Sequence, residues 1–186
     1  MVAFAECLGL PSDTFRNMFV GGDFGTIRLL SYPGLSAEEA REINIGISPH
    51  TDFEAFTLMH QDAPGLQFLP ASGEGWVDAP VRPGEFVVFV GDVMERFTNG
   101  ELKATPHRVL VTPHARQSIV RFNAVTEDTV VAPLDPFVTA ERPARYTPVT
   151  MKTHMETTMR NLEAGLGSWD DTTQTSLSAT YDYSKC

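Results

Sequence analysis

The stretch Ser48-Pro49-His50-Thr51-Asp52 decides how this chain folds and what it can bind. Side chains two residues apart in a strand point to the same face, so His50 and Asp52 can present an imidazole nitrogen and a carboxylate oxygen to one point. A His-x-Asp pair alone is weak evidence for a metal site, and a third ligand must come from elsewhere. The best candidate is His107, in Thr105-Pro106-His107-Arg108-Val109. Two histidines and one carboxylate on one face of a metal leave the opposite face open, which suits non-haem Fe(II) oxygen chemistry.

A second polar group follows His107 in the chain. Arg116 and Ser118 stand beside a run, Ile119-Val120-Arg121-Phe122, that alternates as a half-buried strand does. Arg116 and Ser118 therefore share a face, and an arginine fork beside a hydroxyl is a good receptor for a carboxylate. Phe122 lies on the same face and is a candidate lining residue of a substrate pocket.

In this order and spacing, the residues resemble the Fe(II)/2-oxoglutarate-dependent dioxygenases, specifically the isopenicillin N synthase-like family. The resemblance runs from about Gly25 to Leu166, the C-terminal catalytic portion of such enzymes. Other stretches resemble the same family: Gly65-Leu66-Gln67, Trp76-Val77, Pro83-Gly84-Glu85, Val90-Gly91-Asp92, Asn99-Gly100 and Lys103-Ala104 ahead of His107.

The resemblance implies both the cofactors and the residues that hold them. It implies that Fe(II) is held by His50, Asp52 and His107. The cosubstrate 2-oxoglutarate then chelates the metal through its 1-carboxylate and 2-keto oxygen, and one position remains for O2. Its far carboxylate is implied to meet Arg116, Ser118 and Tyr32. Three further histidines fall outside this pattern and are interpreted as surface or hydrogen-bonded polar residues: His60, His114 and His154.

The run 26–31 predicts a strand that ends at Pro33, which has no backbone donor. Arg28 and Tyr32 share one face of this strand with Leu30, which stands where many relatives have asparagine. If that face points inward, Arg28 is a hypothesis for binding an anionic or polar group of the substrate. An outward arginine with a surface partner is an equal alternative.

The implied activity is that of an oxidoreductase acting on a small organic molecule. Hydroxylation, desaturation or ring closure of that molecule would be coupled to oxidative decarboxylation of 2-oxoglutarate to succinate and CO2. Three alternatives stay open. The chain can be an isopenicillin N synthase-like oxidase that does not use 2-oxoglutarate, a non-catalytic metal-binding jelly roll, or a defective fragment with an incomplete pocket.

The pattern of strands predicts a mainly β fold. Short strands separated by glycine and proline are expected near 26–31, 43–49, 55–60, 66–69, 76–79, 86–90, 107–111 and 118–123. Such strands favour a sandwich or jelly roll, and the family resemblance implies a double-stranded β-helix with flanking helices. Asn99-Gly100 predicts a two-residue hairpin with two positive φ angles, which would return the chain towards His107.

Three segments are expected along the chain. Residues 1–148 form the dioxygenase jelly-roll core, with a helix near 2–8. Residues 149–166 form a C-terminal packing helix capped by Thr150, with an apolar stripe of Met151, Met155, Leu162 and Leu166. Residues 167–186 form a Ser/Thr/Asp-rich tail expected to be poorly ordered. Because the family carries further helices and strands ahead of this point, we expect the chain to be a fragment.

The composition of the chain limits the kinds of molecule that it is expected to bind. The formal net charge is −10 and there is no basic run, which argues against nucleic-acid binding. No apolar run reaches the roughly 18 residues of a membrane span. The two cysteines, Cys7 and Cys186, do not make a disulfide framework and favour a cytoplasmic location. A small-molecule substrate is therefore the expected partner, and the sequence leaves the oligomeric state open.

Overall fold

The computed structural model describes residues 1–22, 24–36, 38–39, 43–167, 169–170, 172–173 and 175–177. Its centre is a pair of four-stranded antiparallel sheets. The major sheet contains, in spatial order, β1 (Ile27–Tyr32), β8 (Arg116–Asn123), β3 (Phe56–Gln61) and β6 (Val87–Val90). The minor sheet contains β2 (Ile45–His50), β7 (His107–Leu110), β4 (Leu66–Phe68) and β5 (Val77–Asp78). All eight predicted strands are present, and the mainly β jelly-roll prediction is confirmed.

The two sheets enclose one apolar core because their strands alternate. Along β3 every second residue is buried, and β8 begins with the same alternation. The buried side chains that pack between the sheets are Met59, Leu66, Ala79, Phe89, Val109 and Val120. On the outer face of the major sheet, Ile27, Leu29 and Ile119 are exposed by 64%, 77% and 48%. The inner face is therefore the one that can enclose a ligand.

A second core lies beside the sheets and is formed by helices. These are α1 (Val2–Cys7), α2 (Asp92–Phe97) and α3 (Met151–Glu163), with 3-10 turns at Arg16–Phe19 and Asp135–Phe137 and a short pair of strands, β9 (Val130–Val131) and β10 (Val149–Thr150). Phe15, Phe97 and Met151 are fully buried here. The helix predicted near 2–8 is confirmed as α1. No helix among the described residues combines the length and apolar character needed to cross a membrane.

Helix α3 confirms the predicted cap and half of the predicted stripe. The Thr150 hydroxyl accepts from the backbone N–H of Thr153 at 3.2 Å. Met151 and Met155 pack against the second core. Leu162 and Leu166 are exposed by 37% and 61%, so the expected stripe is wrong beyond the first turns. The end of the helix extends past the core that its beginning covers.

The backbone angles predicted for Asn99-Gly100 are confirmed, but the predicted hairpin between two strands is wrong. Both residues have positive φ, 51° and 78°, as the pair predicts. They follow α2 instead of joining two strands, and the Gly100 N–H donates to the Glu95 carbonyl at 2.8 Å. Left-handed residues end helices as readily as they turn hairpins. The sequence analysis did not predict α2.

Part of the tail is paired. β11 (Trp169–Asp170) lies antiparallel to β12 (Thr175–Ser176). Residues 178–186 lie outside the described part of the chain, and the tail prediction stays a prediction there.

Candidate metal centre and anion pocket

The structure brings together the three predicted metal ligands at one end of the minor sheet. His50 ends β2 and His107 begins β7, and the two are cross-strand partners. Asp52 follows directly after β2. Its Oδ1 lies 3.8 Å from Nε2 of His50 and 3.6 Å from Nε2 of His107. One ligand atom of each residue lies within 4.8 Å of the others, close enough to share one ion.

Hydrogen bonds already fix the atoms that do not face the centre. Nδ1 of His50 lies 2.9 Å from the Ser48 carbonyl, and Nδ1 of His107 lies 3.0 Å from the Thr105 carbonyl. A carbonyl only accepts, so each Nδ1 carries the proton and each Nε2 keeps its lone pair. The Thr57 hydroxyl donates to Oδ2 of Asp52, which leaves Oδ1 for the centre. Two imidazole nitrogens and one carboxylate oxygen therefore converge as free electron-pair donors.

The surroundings keep the centre nearly dry. The side chains of Asp52 and His107 are each 3% exposed, and that of His50 is 26% exposed. The Phe89 ring stacks on His107, with centroids 4.5 Å apart and planes within 4°. Burial, and then the neighbouring His107, lower the pKa of His50 to about 4, so it is neutral near pH 7. A neutral imidazole at His50 beside the Asp52 carboxylate suits a divalent ion such as Fe(II) or Zn(II).

The predicted anion-binding residues meet within the major sheet. Arg116 begins β8 and lies opposite Tyr32 of β1, with its guanidinium carbon 4.9 Å from the centre of the tyrosine ring. Its Nη2 donates to Oε1 of Gln61 at 3.1 Å. The side chain is among the most buried in the protein, with 1% of the residue exposed. Burial lowers the pKa of Arg116, although arginine remains charged in proteins.

This pocket contains buried donors that lack acceptors. Nε and Nη1 of Arg116 and the Ser118 hydroxyl have no hydrogen-bond partner among the described residues. Ser118 stands between Leu30 and Gln61 in the register, one step from Arg116 on the same face. A buried donor left unpaired costs about 1–3 kcal/mol, and more when it is charged. A carboxylate would satisfy all three groups, so the residues fit one end of 2-oxoglutarate.

The two candidate substrate residues also meet. The guanidinium carbon of Arg28 lies 5.3 Å from the centre of the Phe122 ring. Phe122 follows Ser118 and Val120 along the inner side of β8. Arg28 is the cross-strand partner of Val120, which is buried between the two sheets. Arg28 thus lies on the inner face of β1, the direction that the strand alternation predicts, and its role towards a substrate stays a prediction.

Sequence reasoning missed several supporting residues. Thr57 orients Asp52, Gln61 holds one nitrogen of Arg116, and Phe89 covers His107. Polar Thr57 and Gln61 recur on the buried face of β3, and that recurrence was the available signal. His154, interpreted as a satisfied polar residue, is fully buried with Nε2 3.0 Å from the Phe53 carbonyl beside Asp52. His60 lies 3.0 Å from the Glu85 carbonyl and His114 is exposed, as expected.

A separate cleft of about 600 Å³ is lined by residues of β6, including Phe89, and by the 103–106 segment. Lys103, Trp169 and Phe68 contribute to its walls, and none of the predicted site residues does. Cavity size therefore does not identify the site in this molecule. The convergence of polar atoms does.

Comparisons with known proteins agree with this geometry. Residues 24–124 match the family model described as the 2OG-Fe(II) oxygenase superfamily. Homoarginine-6-hydroxylase 2-ODD-C23 of Glycine max is 37% identical over 73% of this chain and 42% of its own length. Gibberellin 20 oxidase 3 of Oryza sativa subsp. japonica is 33% identical over 89% of this chain and 46% of its own length.

Solved structures show the same fold. A full-length Neurospora crassa protein in complex with alpha-KG superposes with a TM-score of 0.79 at 27% identity, covering 89% of this chain and 51% of that one. JOX2 in complex with 2OG, Fe and JA gives a TM-score of 0.74 at 28% identity, covering 84% of this chain and 46% of that one. The chain spans less than half the length of the two curated relatives above.

Proposed function

The chain belongs to the 2OG-Fe(II) oxygenase superfamily, and on that premise we propose that it is a non-haem Fe(II)- and 2-oxoglutarate-dependent oxygenase of small organic molecules. The observation that carries the proposal is the pairing of two sites on one fold. A triad of convergent metal ligands lies beside a buried arginine whose free donors await a carboxylate. A cytoplasmic location remains a further proposal, based on the cysteine content.

In this proposal the triad holds the metal. Nε2 of His50, Nε2 of His107 and Oδ1 of Asp52 are the three protein ligands. When bound, Fe(II) supplies the redox and Lewis-acid chemistry that O2 and 2-oxoglutarate require. The protein's own contribution is orientation, because the Ser48 and Thr105 carbonyls and the Thr57 hydroxyl fix each ligand before the metal arrives.

The second part of the protein's contribution is to hold the cosubstrate. Arg116 offers two free nitrogens, and Ser118 offers a hydroxyl, to the carboxylate that is distant from the metal. Tyr32 backs the guanidinium and limits the directions in which it can point. Burial excludes competing water, which strengthens each charge-assisted hydrogen bond. A positioned cosubstrate can then couple its decarboxylation to succinate and CO2 with oxidation of the substrate.

The second candidate is an oxidase that uses the same metal site without 2-oxoglutarate. It shares the Arg116-x-Ser118 pair, so the pair alone does not separate the two functions. The vacant hydrogen-bonding capacity in a fully buried pocket favours a small carboxylate that enters completely, as 2-oxoglutarate would. A non-catalytic metal-binding jelly roll needs no such donors.

The test is an anaerobic titration of the chain with Fe(II) and then 2-oxoglutarate. We expect the wild type to show a visible absorption band from the chelated keto acid. The band should be absent in His107→Ala, and neither excess metal nor excess cosubstrate should restore it in that variant. His114→Ala, an exposed histidine, is the matched control and should keep the band. Metal binding in the wild type without the band would contradict the proposal and favour the oxidase.

A further inference from the structure

We infer that the substrate is an organic acid whose carboxylate binds Arg28 while its apolar body lies against Phe122. This inference rests on the proposed function and names the class of substrate for the same site. Its starting point is that the inner face of the major sheet carries two arginines, and the cosubstrate uses only one of them.

The two arginines lie in different places on that face. Arg116 is opposite Tyr32, whereas Arg28 is opposite Val120, further along the same pair of strands. Arg116 is 1% exposed and is therefore closed off from solvent. Arg28 is exposed, and its cross-strand partner Val120 packs in the same core as Phe89, which stacks on His107. A molecule that enters after the cosubstrate would meet Arg28 first.

Arg28 has no acidic partner among the described residues. Its one contact of note is with the Phe122 ring at 5.3 Å. Two other arginines do have a carboxylate beside them: Arg82 lies 3.4 Å from Glu85, and Arg142 lies 2.8 Å from Glu101. Like Arg116, Arg28 is thus an inward cation without a carboxylate beside it, in a chain with a net charge of −10. It is suited to receive a carboxylate from a ligand.

Phe122 completes the recognition. Its ring holds the guanidinium by a cation–π contact, which limits the freedom of the arginine before binding. The same ring, half-buried, offers a flat apolar surface next to the charge. A carboxylate joined to an aromatic or other flat apolar group matches both features at once.

The test measures binding with the cosubstrate pocket already filled. The chain is loaded with Zn(II), which is redox-inert, and with saturating 2-oxoglutarate, and ligand binding is followed by saturation-transfer NMR. The probes are benzoate, phenylacetate and cinnamate, each beside its primary amide. We expect the wild type to prefer at least one acid over its amide by about tenfold, the effect of one charge-assisted contact.

Two variants assign that preference. Arg28→Gln should remove it while 2-oxoglutarate affinity changes less than twofold, and Arg82→Gln, the exposed and paired control, should keep it. A wild type that prefers none of the acids, or an acid preference that persists in Arg28→Gln, overturns the inference alone. A large loss of 2-oxoglutarate affinity in Arg28→Gln also overturns it, because Arg28 would then serve the cosubstrate. A wild type that takes up no 2-oxoglutarate overturns the proposed function and this inference with it.

Discussion

The metal centre and the anion pocket differ in how their polar atoms are satisfied. At the metal centre, Nδ1 of both histidines and Oδ2 of Asp52 have hydrogen-bond partners, so only the converging ligand atoms are left over. In the anion pocket, one guanidinium nitrogen of Arg116 has a hydrogen-bond partner and the other two do not. The Ser118 hydroxyl also lacks a hydrogen-bond partner among the described residues. The ligand atoms of the metal centre are thus oriented before a metal binds. The donors of the anion pocket stay unpaired before a carboxylate binds, which lowers the stability of the folded protein.

The two regions therefore achieve tight binding in two different ways. Preorganised ligands bind tightly because little orientation remains to be fixed. Unsatisfied buried donors bind tightly because the ligand removes a penalty that the folded protein carries. Substitutions at the metal centre should therefore lower metal affinity, whereas removing the unpaired donors of the anion pocket should lower 2-oxoglutarate affinity without lowering stability. The following predictions test this difference in order of expected size.

Removing a metal ligand should have the largest effect. In His107→Ala, affinity for Co(II) or Zn(II) should fall by more than about 100-fold, beyond the 10–100-fold typical of residues that only orient ligands. Isothermal titration calorimetry measures the metal affinity of both proteins. Retention of wild-type affinity would show that the ion binds elsewhere, and His114→Ala should match the wild type.

Replacing the buried arginine should separate ligand binding from stability. In Arg116→Met, 2-oxoglutarate affinity of the metal-loaded protein should fall by about 100-fold, since charged hydrogen bonds contribute about 1.5–3 kcal/mol each. Metal affinity should stay within twofold. The melting temperature without ligands should be no lower than that of the wild type, because two unpaired donors are removed. A marked loss of stability would show that Arg116 is a structural residue.

Removing the hydrogen bond that orients Asp52 should have a smaller effect. Thr57→Val keeps the shape of the side chain and deletes the hydroxyl donor. Metal affinity should fall by about tenfold, at the lower end of the range for such partners. Thr139→Val, at an exposed threonine far from the centre, is the control for the same substitution. Unchanged metal affinity in Thr57→Val would mean that Asp52 needs no fixed orientation.

The smallest effect should come from the buried histidine next to the metal-centre loop. Burial lowers the pKa of His154 to about 4, from 6.5 in a free side chain. As pH falls from about 6.5 to 5.5, the unfolded chain takes up a proton that the folded chain refuses, so this residue should lower the free energy of unfolding by about 1 kcal/mol. Urea unfolding at the two pH values measures it. His154→Gln should show a shallower pH dependence, and an identical slope would contradict the assignment.

Much of the fold could be predicted because strand alternation and glycine–proline breaks leave a clear pattern. β3 follows that alternation and β8 begins with it, and Arg116-x-Ser118 stands at the start of β8. The two histidine ligands stand at the end of β2 and the start of β7. α2 was not recognised, although Asp92, Glu95 and Arg96 stand at i, i+3 and i+4. Six residues are too few for that period to stand out, and all six are buried. Asn99-Gly100 predicted the backbone angles correctly but not the neighbouring elements, because local conformation does not specify what precedes the turn.

The supporting contacts were harder to predict than the ligands. His154 meets the Phe53 carbonyl across a long stretch of chain, and Phe89 meets His107 from a different sheet. Such contacts depend on how elements pack, and a single sequence carries no periodic signal for that. The inward direction of Arg28 followed from alternation once its strand was placed against β8.

The pairing of β1 with β8 sets when the anion pocket can come into being. These strands are the first and last of the two main sheets along the chain, yet Tyr32 and Arg116 are cross-strand partners. During synthesis, the pocket therefore cannot form until β8 has emerged, whereas α1 can form from local contacts. Pairings between distant segments are the slow steps of folding. The protein should thus gain the capacity to bind a carboxylate late in folding, when β8 pairs with β1. Carboxylate binding would therefore indicate that the jelly roll has formed completely.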